Sequence, residues 1–369
     1  MTDDILLIPG PIVISKNVQA ALGTPSVSHT SAEFASTFSS ALKNVRKVFK
    51  AGDSGQPVVL AGSGTLGWDI AASNLVQPGD KVLVLSTGFF SDSFAECLKV
   101  YGADVDKITA PLGDAVPLDA IRDALSKVSY NMITITHVDT STAVLTELEP
   151  ICKAVKELSP ETLIVVDGVC SIGCEVFEFE KWGIDYALTA SQKALGVPPG
   201  LSVSMLSDRA VKVAQERPFE SSFFASLKRW LPIMVNYEQG KPAYFATPAV
   251  QLVNALDVSL REILDQGIDA RVAKHKQTSD WIKAKLTKEL GLKLVSVNDK
   301  VSAHGLTAAY TENPPKVISG VKQHGIVIAG GIHKQIKDKY IRIGHMGVSA
   351  CDDSRQDMEK CFEAIKESL

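Results

Sequence analysis

Short, uninterrupted apolar runs that end on polar side chains constrain this chain more than any other feature. One run, Leu163–Val166, closes on Asp167, and a second, Tyr186–Leu188, leads through four small or polar residues to Lys193. Runs of this kind are typical of strands in a parallel sheet that is covered on both faces. Ligands of such sheets bind outside the carboxyl ends of the strands. The sequence therefore predicts that Asp167 and Lys193 face one site.

The two side chains would suit one kind of chemistry. A lysine in a dry cleft loses its proton readily and forms a Schiff base with an aldehyde. A nearby carboxylate suits the protonated ring nitrogen of pyridoxal phosphate, which then acts as an electron sink. The spacing alone also fits an alternative in which Asp167 caps a loop and Lys193 lies on the surface, because such residues are common in loops at strand ends.

The segments around both residues, VVDGVCSIG and DYALTASQKAL, closely resemble the lysine region of class V, fold-type I aminotransferases. The nearest group is that of the alanine–glyoxylate (serine–pyruvate) aminotransferases. The resemblance spans essentially the whole chain, from Pro-Gly-Pro at 9–11 to Arg-Ile-Gly at 342–344. It implies an α/β fold of the pyridoxal-phosphate transferases, with a mostly parallel seven-stranded sheet in a large domain and a smaller carboxyl-terminal α/β domain.

Length and helical pattern suggest where these domains divide. A chain of 369 residues exceeds what one ordinary core supports. One long helical pattern covers Val250–Gln266 and another covers Ala270–Leu290. We therefore expect a large domain over residues 1–266 and a small one over 267–369.

Composition excludes several other classes of protein. A net charge of −4 and the lack of any block of basic residues argue against binding of nucleic acid. No apolar run reaches the length of a membrane span. The six cysteines are scattered and show no metal-ligand spacing, so we expect reduced thiols and no metal site. The amino end, MTDDILLIPG, lacks the basic start of a signal peptide. The cytoplasm is the expected location, with the peroxisome or the mitochondrion as alternatives.

The segment Val58–Thr65 reads as a strand that runs through a small-residue turn into a helix, a join that can hold a phosphate group. The resemblance implies that Lys193 forms the Schiff base and then carries a proton, that Asp167 pairs with the ring nitrogen, and that Phe90 stacks where the family often has tryptophan. The full set of cofactor contacts that it implies is Ser63, Gly64, Thr65, Phe90, Thr140, Asp167, Gln192, Lys193, Tyr244 and Thr247.

Two further residues, Arg342 and Gly10, are implied to bind substrate. Arg342 interrupts an apolar strand, where an unpaired guanidinium would be costly. It is expected either to form a buried structural ion pair or to bind a carboxylate through two parallel hydrogen bonds, and the match to the family favours the second. The resemblance also implies that Tyr244 and Thr247 reach the partner's site in a homodimer. The alternative is a rim loop in which Thr247 caps the next helix.

The predicted activity is the transfer of an amino group from alanine to glyoxylate, forming pyruvate and glycine. Serine–pyruvate and serine–glyoxylate transamination are alternatives, because the sequence does not separate the two donors or the two acceptors. A cysteine desulfurase or a non-catalytic binding protein of the same fold are further alternatives. The desulfurases that resemble this chain place a histidine before the lysine, where Gln192 stands here. They also carry a reactive cysteine on a loop upstream of the arginine, whereas no cysteine lies between Cys174 and Cys351 in this chain.

Overall fold

The computed structural model describes residues 4–369, so residues 1–3, which were counted above with the amino end and the first domain, lie outside the described part. The strands are β1 (Ile5–Leu6), β2 (Gln56–Gly62), β3 (Lys81–Ser86), β4 (Asp104–Thr109), β5 (Met132–Thr136), β6 (Val138–Asp139), β7 (Val144–Leu145), β8 (Leu163–Asp167), β9 (Tyr186–Ala190), β10 (Gly200–Leu206), β11 (Leu306–Tyr310), β12 (Ile326–Val327), β13 (Ala329–Gly330) and β14 (Tyr340–Gly344). The α-helices are α1 (Lys16–Leu22), α2 (Ala32–Val48), α3 (Gly64–Leu75), α4 (Phe89–Val100), α5 (Leu118–Lys127), α6 (Leu148–Leu158), α7 (Phe179–Trp182), α8 (Asp208–Glu216), α9 (Leu227–Glu238), α10 (Val250–Gln266), α11 (Ile268–Ala284), α12 (Pro314–Gln323), α13 (Val348–Cys351) and α14 (Asp357–Ser368).

A seven-stranded sheet forms the centre of the molecule, in the order β2-β10-β9-β8-β5-β3-β4. Only β10 runs antiparallel to its neighbours. All five residues of β5, β8 and β9 are buried, as expected for strands covered on both faces. The mostly parallel seven-stranded sheet predicted from the sequence is thus confirmed.

The carboxyl-terminal part of the chain contains a second sheet, β11-β14-β13, which is antiparallel. The amino-terminal strand β1 pairs in parallel with β12, and Leu7 packs in the same apolar cluster as Ile341 and Phe362. The beginning of the chain therefore lies against the carboxyl-terminal elements. The division of the chain into domains at residue 267 stays a prediction.

Two helical expectations can be compared directly with the structure. The helix Val250–Gln266 is confirmed, and it ends where Gly267 has a φ of +81°, a conformation that glycine adopts readily. The helix expected over Ala270–Leu290 is found as α11, which begins earlier, at Ile268, and continues as a π-helix over Lys285–Glu289. Helices α8 and α9 are separate elements. Arg217 is extended (φ −53°, ψ 135°) since Pro218 follows it, and a residue before proline disfavours the helical region. No helix within residues 4–369 is long and apolar enough to cross a membrane.

Candidate active site

A cavity of about 140 Å³ lies where strands β2, β8 and β9 reach their carboxyl ends. Eight of the residues predicted from the sequence line it, together with Trp68, Val138, Val169 and Cys170. Those eight are Ser63, Gly64, Thr65, Phe90, Thr140, Asp167, Gln192 and Lys193. The fold therefore brings Asp167 and Lys193 together, and the alternative of a surface lysine unconnected with Asp167 is wrong.

Asp167 ends strand β8 and is only 3% exposed. Its Oδ2 accepts a hydrogen bond of 2.8 Å from the indole Nε1 of Trp68, and its Oδ1 accepts one of 3.0 Å from the backbone N–H of Val169. Burial raises the pKa of Asp167 to about 6, and these two hydrogen bonds oppose the rise. The carboxylate is thus held in a position where an added positive charge would stabilise it.

Trp68 was not identified from the sequence, although a signal was present. It lies one turn after Gly64 in α3, so its side chain lies on the same side of the helix as the small-residue turn. A buried indole N–H requires an acceptor, and Asp167 is that acceptor.

Lys193 is half-buried, and its Nζ donates a hydrogen bond to the carbonyl oxygen of Pro9. Gly10, which follows Pro9 in the chain, has a φ of +120°. A Cβ on Gly10 would lie 2.5 Å from Cδ and 2.7 Å from Nζ of Lys193, so a side chain there would displace the lysine amine. The structure therefore places Gly10 directly against the lysine amine.

The start of helix α3 presents unpaired donors to the cavity. The side chains of Ser63 and Thr65 make no hydrogen bond within the described residues, and neither does the Gln192 amide, whose Oε1 is buried. The first backbone N–H groups of a helix also lack partners inside the helix. Gly64 is tightly enclosed, since a Cβ there would lie 2.8 Å from Cγ2 of Val169. Hydroxyls, an amide and free N–H groups around a helix start suit an anion of phosphate size.

A second buried acid, Asp139, lies between the lining residues Val138 and Thr140 and was not identified from the sequence. Its Oδ2 accepts 3.2 Å hydrogen bonds from the backbone N–H groups of Phe90 and Ser91. Its Oδ1 accepts one of 2.6 Å from the hydroxyl of Ser141. The carboxylate thus ties the start of α4, which carries Phe90, to the loop that carries Thr140.

Arg342 is 8% exposed and binds backbone rather than acid. Its Nε donates to the carbonyl of Gly330 at 2.8 Å, and its Nη1 donates to the carbonyl of Thr140 at 3.2 Å. It forms no ion pair with any of residues 4–369, so the expectation of a structural ion pair is wrong. Burial lowers the pKa of Arg342. Arg342 does not line the cavity itself but contacts Thr140, which does. Its Nη2 and the second N–H of its Nη1 have no hydrogen bond to a described residue and could serve a carboxylate.

Tyr244 and Thr247 do not line this cavity in their own chain. Tyr244 is 61% exposed, with its ring centroid 5.1 Å from that of His29, and Thr247 is exposed as well. Thr247 is also not a helix cap, because α10 begins at Val250 after Ala249. Proline at 248 keeps Thr247 away from helical geometry.

A buried acid and a lysine amine in one cavity at the edge of a parallel sheet define an α/β enzyme cleft. Residues 14–346 match the model of the aminotransferase class-V family. The chain therefore belongs to the class V aminotransferases, which confirms the family and the fold expected from its sequence.

Two relatives and one solved structure show how close the match is. Alanine–glyoxylate aminotransferase 1 of Saccharomyces cerevisiae is 56% identical over an alignment of 379 positions, which spans 99% of this chain and 98% of the yeast protein. L-aspartate–glyoxylate aminotransferase of Paracoccus denitrificans is 30% identical and covers 93% of this chain and 86% of its own length. The crystal structure of alanine–glyoxylate aminotransferase from Nostoc sp. superposes with a TM-score of 0.91 at 26% identity, covering 100% of this chain and 96% of that one.

Proposed function

We propose that this protein is an alanine–glyoxylate aminotransferase that uses pyridoxal 5′-phosphate. The observation that carries the proposal is one cavity that combines the Lys193 amine, the buried Asp167 carboxylate and the donor-rich start of α3. The choice of alanine and glyoxylate is supported by the 56% identity to the yeast enzyme over nearly the whole of both chains.

The residues present fit the cofactor at both of its charged ends. The hydroxyl groups of Ser63 and Thr65 and the amide Nε2 of Gln192 would hold the phosphate. Asp167, whose pKa burial raises to about 6, would gain a cationic partner in the protonated ring nitrogen and would then stay ionised. Bound there, pyridoxal phosphate supplies an aldehyde carbon and a ring that withdraws electrons from the α-carbon of the amino acid.

The chain's own groups then divide the work of proton transfer and substrate binding. Lys193 Nζ is the base that removes the α-proton of the amino acid and later returns a proton on the way to product. Phe90 and Thr140 line the cavity beside it and exclude water from the reacting atoms. Arg342 binds the α-carboxylate of alanine and of glyoxylate in turn through Nη2 and the second N–H of Nη1, since Nε and the first N–H of Nη1 are held by backbone carbonyls.

We infer further that the enzyme is a homodimer with shared sites, in which Tyr244 and Thr247 complete the partner's phosphate site. Exposed aromatic side chains around this segment support such an interface, because large exposed apolar patches mark contact surfaces. They are Phe223 at 68%, Phe224 at 40% and Tyr244 at 61% exposure, and the ring of Phe223 lies 5.4 Å from that of Phe245. Location in the cytoplasm stays a prediction.

A donor–acceptor activity matrix on the purified, cofactor-loaded protein tests the function. Alanine, serine, aspartate and glutamate are each paired with glyoxylate and with pyruvate, and kcat/KM is measured for every pair. Alanine with glyoxylate is expected to be the best pair. The acidic donors are expected to be poor because, with Arg342 bound to the α-carboxylate, the cavity lining within residues 4–369 offers no cationic side chain besides Lys193 for a second carboxylate. Faster turnover with serine or aspartate would overturn the assignment of alanine as donor.

A further inference from the structure

Tyr340 lies two residues before Arg342 on β14, so both side chains leave the same face of the small sheet. The tyrosine is fully buried, at 0% exposure. Its hydroxyl donates a hydrogen bond to the carbonyl of Ser141 and accepts bonds from the N–H groups of Ile332 (3.1 Å) and His333 (3.2 Å). One donor and two acceptor positions are all that a phenol offers, so this hydroxyl is fully used.

Arg342 binds the same two segments as Tyr340. Its Nη1 donates to the carbonyl of Thr140, one residue before the Ser141 carbonyl that Tyr340 uses. Its Nε donates to the carbonyl of Gly330, at the start of the segment whose N–H groups bind the Tyr340 hydroxyl. Two side chains of one strand therefore hold the loop 140–141 against the segment 330–333.

Gly331 lies against the tyrosine ring between these hydrogen bonds. A Cβ at Gly331 would lie 2.3 Å from Cε1 of Tyr340 and 2.4 Å from the carbonyl oxygen of Lys337. The backbone of the segment 330–333 is thus in contact with the Tyr340 ring as well as with its hydroxyl.

We propose that Tyr340 is a positioning residue for binding of the substrate carboxylate. Its hydroxyl fixes the two segments whose carbonyls hold Nε and Nη1 of Arg342, and so fixes the plane of the guanidinium. A carboxylate that is bound by two parallel hydrogen bonds requires that plane to be fixed in advance. The inference rests on the proposed function in one respect, that Arg342 binds the substrate carboxylate.

The test compares Tyr340→Phe with Tyr310→Phe. Tyr310 is a matched control because its ring packs against that of Tyr340 with centroids 6.5 Å apart, while its hydroxyl has no hydrogen bond to a described residue. In Tyr340→Phe, the KM values for alanine and glyoxylate and the inhibition constant of acetate should all rise roughly tenfold, the effect of one lost hydrogen bond. The kcat and the affinity for cofactor should stay within about twofold, and Tyr310→Phe should resemble wild type.

A double-mutant cycle shows whether Tyr340 acts through Arg342. In an Arg342→Lys background, Tyr340→Phe should reduce kcat/KM by no more than about twofold, because the group that it positions is already gone. An equal effect of Tyr340→Phe in both backgrounds, or unchanged KM values in the single variant, would overturn the inference. If Tyr340→Phe does not fold, Gly331→Ala disturbs the same contact from the other side and should show the same coupling to Arg342.

Acetate binding separates failure of this inference from failure of the proposed function. Calorimetry on the cofactor-loaded protein measures acetate affinity without any turnover. A wild-type protein that binds acetate but does not transaminate alanine would overturn the proposed function, and the comparison of acetate affinities would still decide the role of Tyr340. Equal acetate affinity in wild type and Tyr340→Phe would reject the positioning role alone.

Discussion

The indole Nε1 of Trp68 donates a 2.8 Å hydrogen bond to Oδ2 of Asp167, and both side chains are almost fully buried. The bond stabilises the ionised form of a carboxyl group whose pKa burial raises to about 6. Trp68 therefore acts with the backbone N–H of Val169 to favour the charge that Asp167 presents to the cavity, although it belongs to a different element.

Replacement of Trp68 by phenylalanine should shift the binding of cofactor to higher pH. Loss of the donor raises the pKa of Asp167 in the empty site further, so the acid limb of a plot of cofactor affinity against pH should move up by about one pH unit. Trp182→Phe is the control, because Nε1 of Trp182 is buried without a partner among the described residues. An acid limb that stays in place in Trp68→Phe would show that the bond does not set the charge of Asp167.

The free energy of unfolding of the cofactor-free protein should depend on pH through the ionisation of Asp167. Because burial raises its pKa from the ordinary 3.8 to about 6, the fold favours the protonated form. The stabilisation is complete below the pKa of the unfolded chain and is lost as the pH rises through about 6. The free energy of unfolding of Asp167→Asn should therefore rise relative to that of wild type by up to about 3 kcal/mol between pH 4 and pH 7.5. Denaturant unfolding of both proteins measures this difference, and a change of the opposite sign would mean that the empty site favours the ionised carboxylate.

Lys193→Ala should abolish turnover and the covalent retention of cofactor. Among residues 4–369, Lys193 is the one lysine that lines the cavity, so no neighbouring lysine can replace its amine. Mass analysis after borohydride treatment should find cofactor on the wild-type peptide and none on the variant. Lys212→Ala, whose side chain is 73% exposed on the surface, should behave as wild type in both measurements. Retained activity in Lys193→Ala would remove this residue from the mechanism.

The sequence was sufficient to predict those parts of the site that follow from strand ends. The apolar run of β8 stops at Asp167, and the chain after β9 reaches Lys193, so parallel strands bring the two to one edge of the sheet. The tertiary contacts could not be predicted from the sequence. The hydrogen bonds of Trp68, Asp139 and Tyr340 join segments that lie far apart in the chain, and no periodic pattern marks such pairs.

The alternative in which Thr247 caps a helix fails for a similar reason. A hydroxyl residue followed by proline resembles a helix start, but here Pro248 and Ala249 precede α10. Tyr244 and Thr247 are exposed in the single chain, so a role for them depends on a second copy of the protein.

Complementation between two inactive variants tests whether the sites are shared. Lys193→Ala is mixed with a Tyr244→Phe/Thr247→Ala double variant, itself first confirmed to be inactive, and the mixture is unfolded and refolded. In a mixed dimer with shared sites, one site takes Lys193 from the double variant and Tyr244 and Thr247 from the other chain, so it is intact. Random pairing of equal amounts makes about half of the dimers mixed with one good site of two, so about a quarter of wild-type activity should return.

The matched control combines Lys193→Ala with Asp167→Asn. Both residues line the cavity of the same chain, so every mixed dimer of this pair has one site without the lysine and one without the carboxylate. This mixture should show no activity beyond that of its separate variants. If Tyr244 and Thr247 served their own chain's cavity, the test mixture would behave like this control, with mixed dimers confirmed by mass. Recovery in the test mixture alone therefore requires that the partner subunit supplies Tyr244 and Thr247, since no other exchange between subunits restores a complete site.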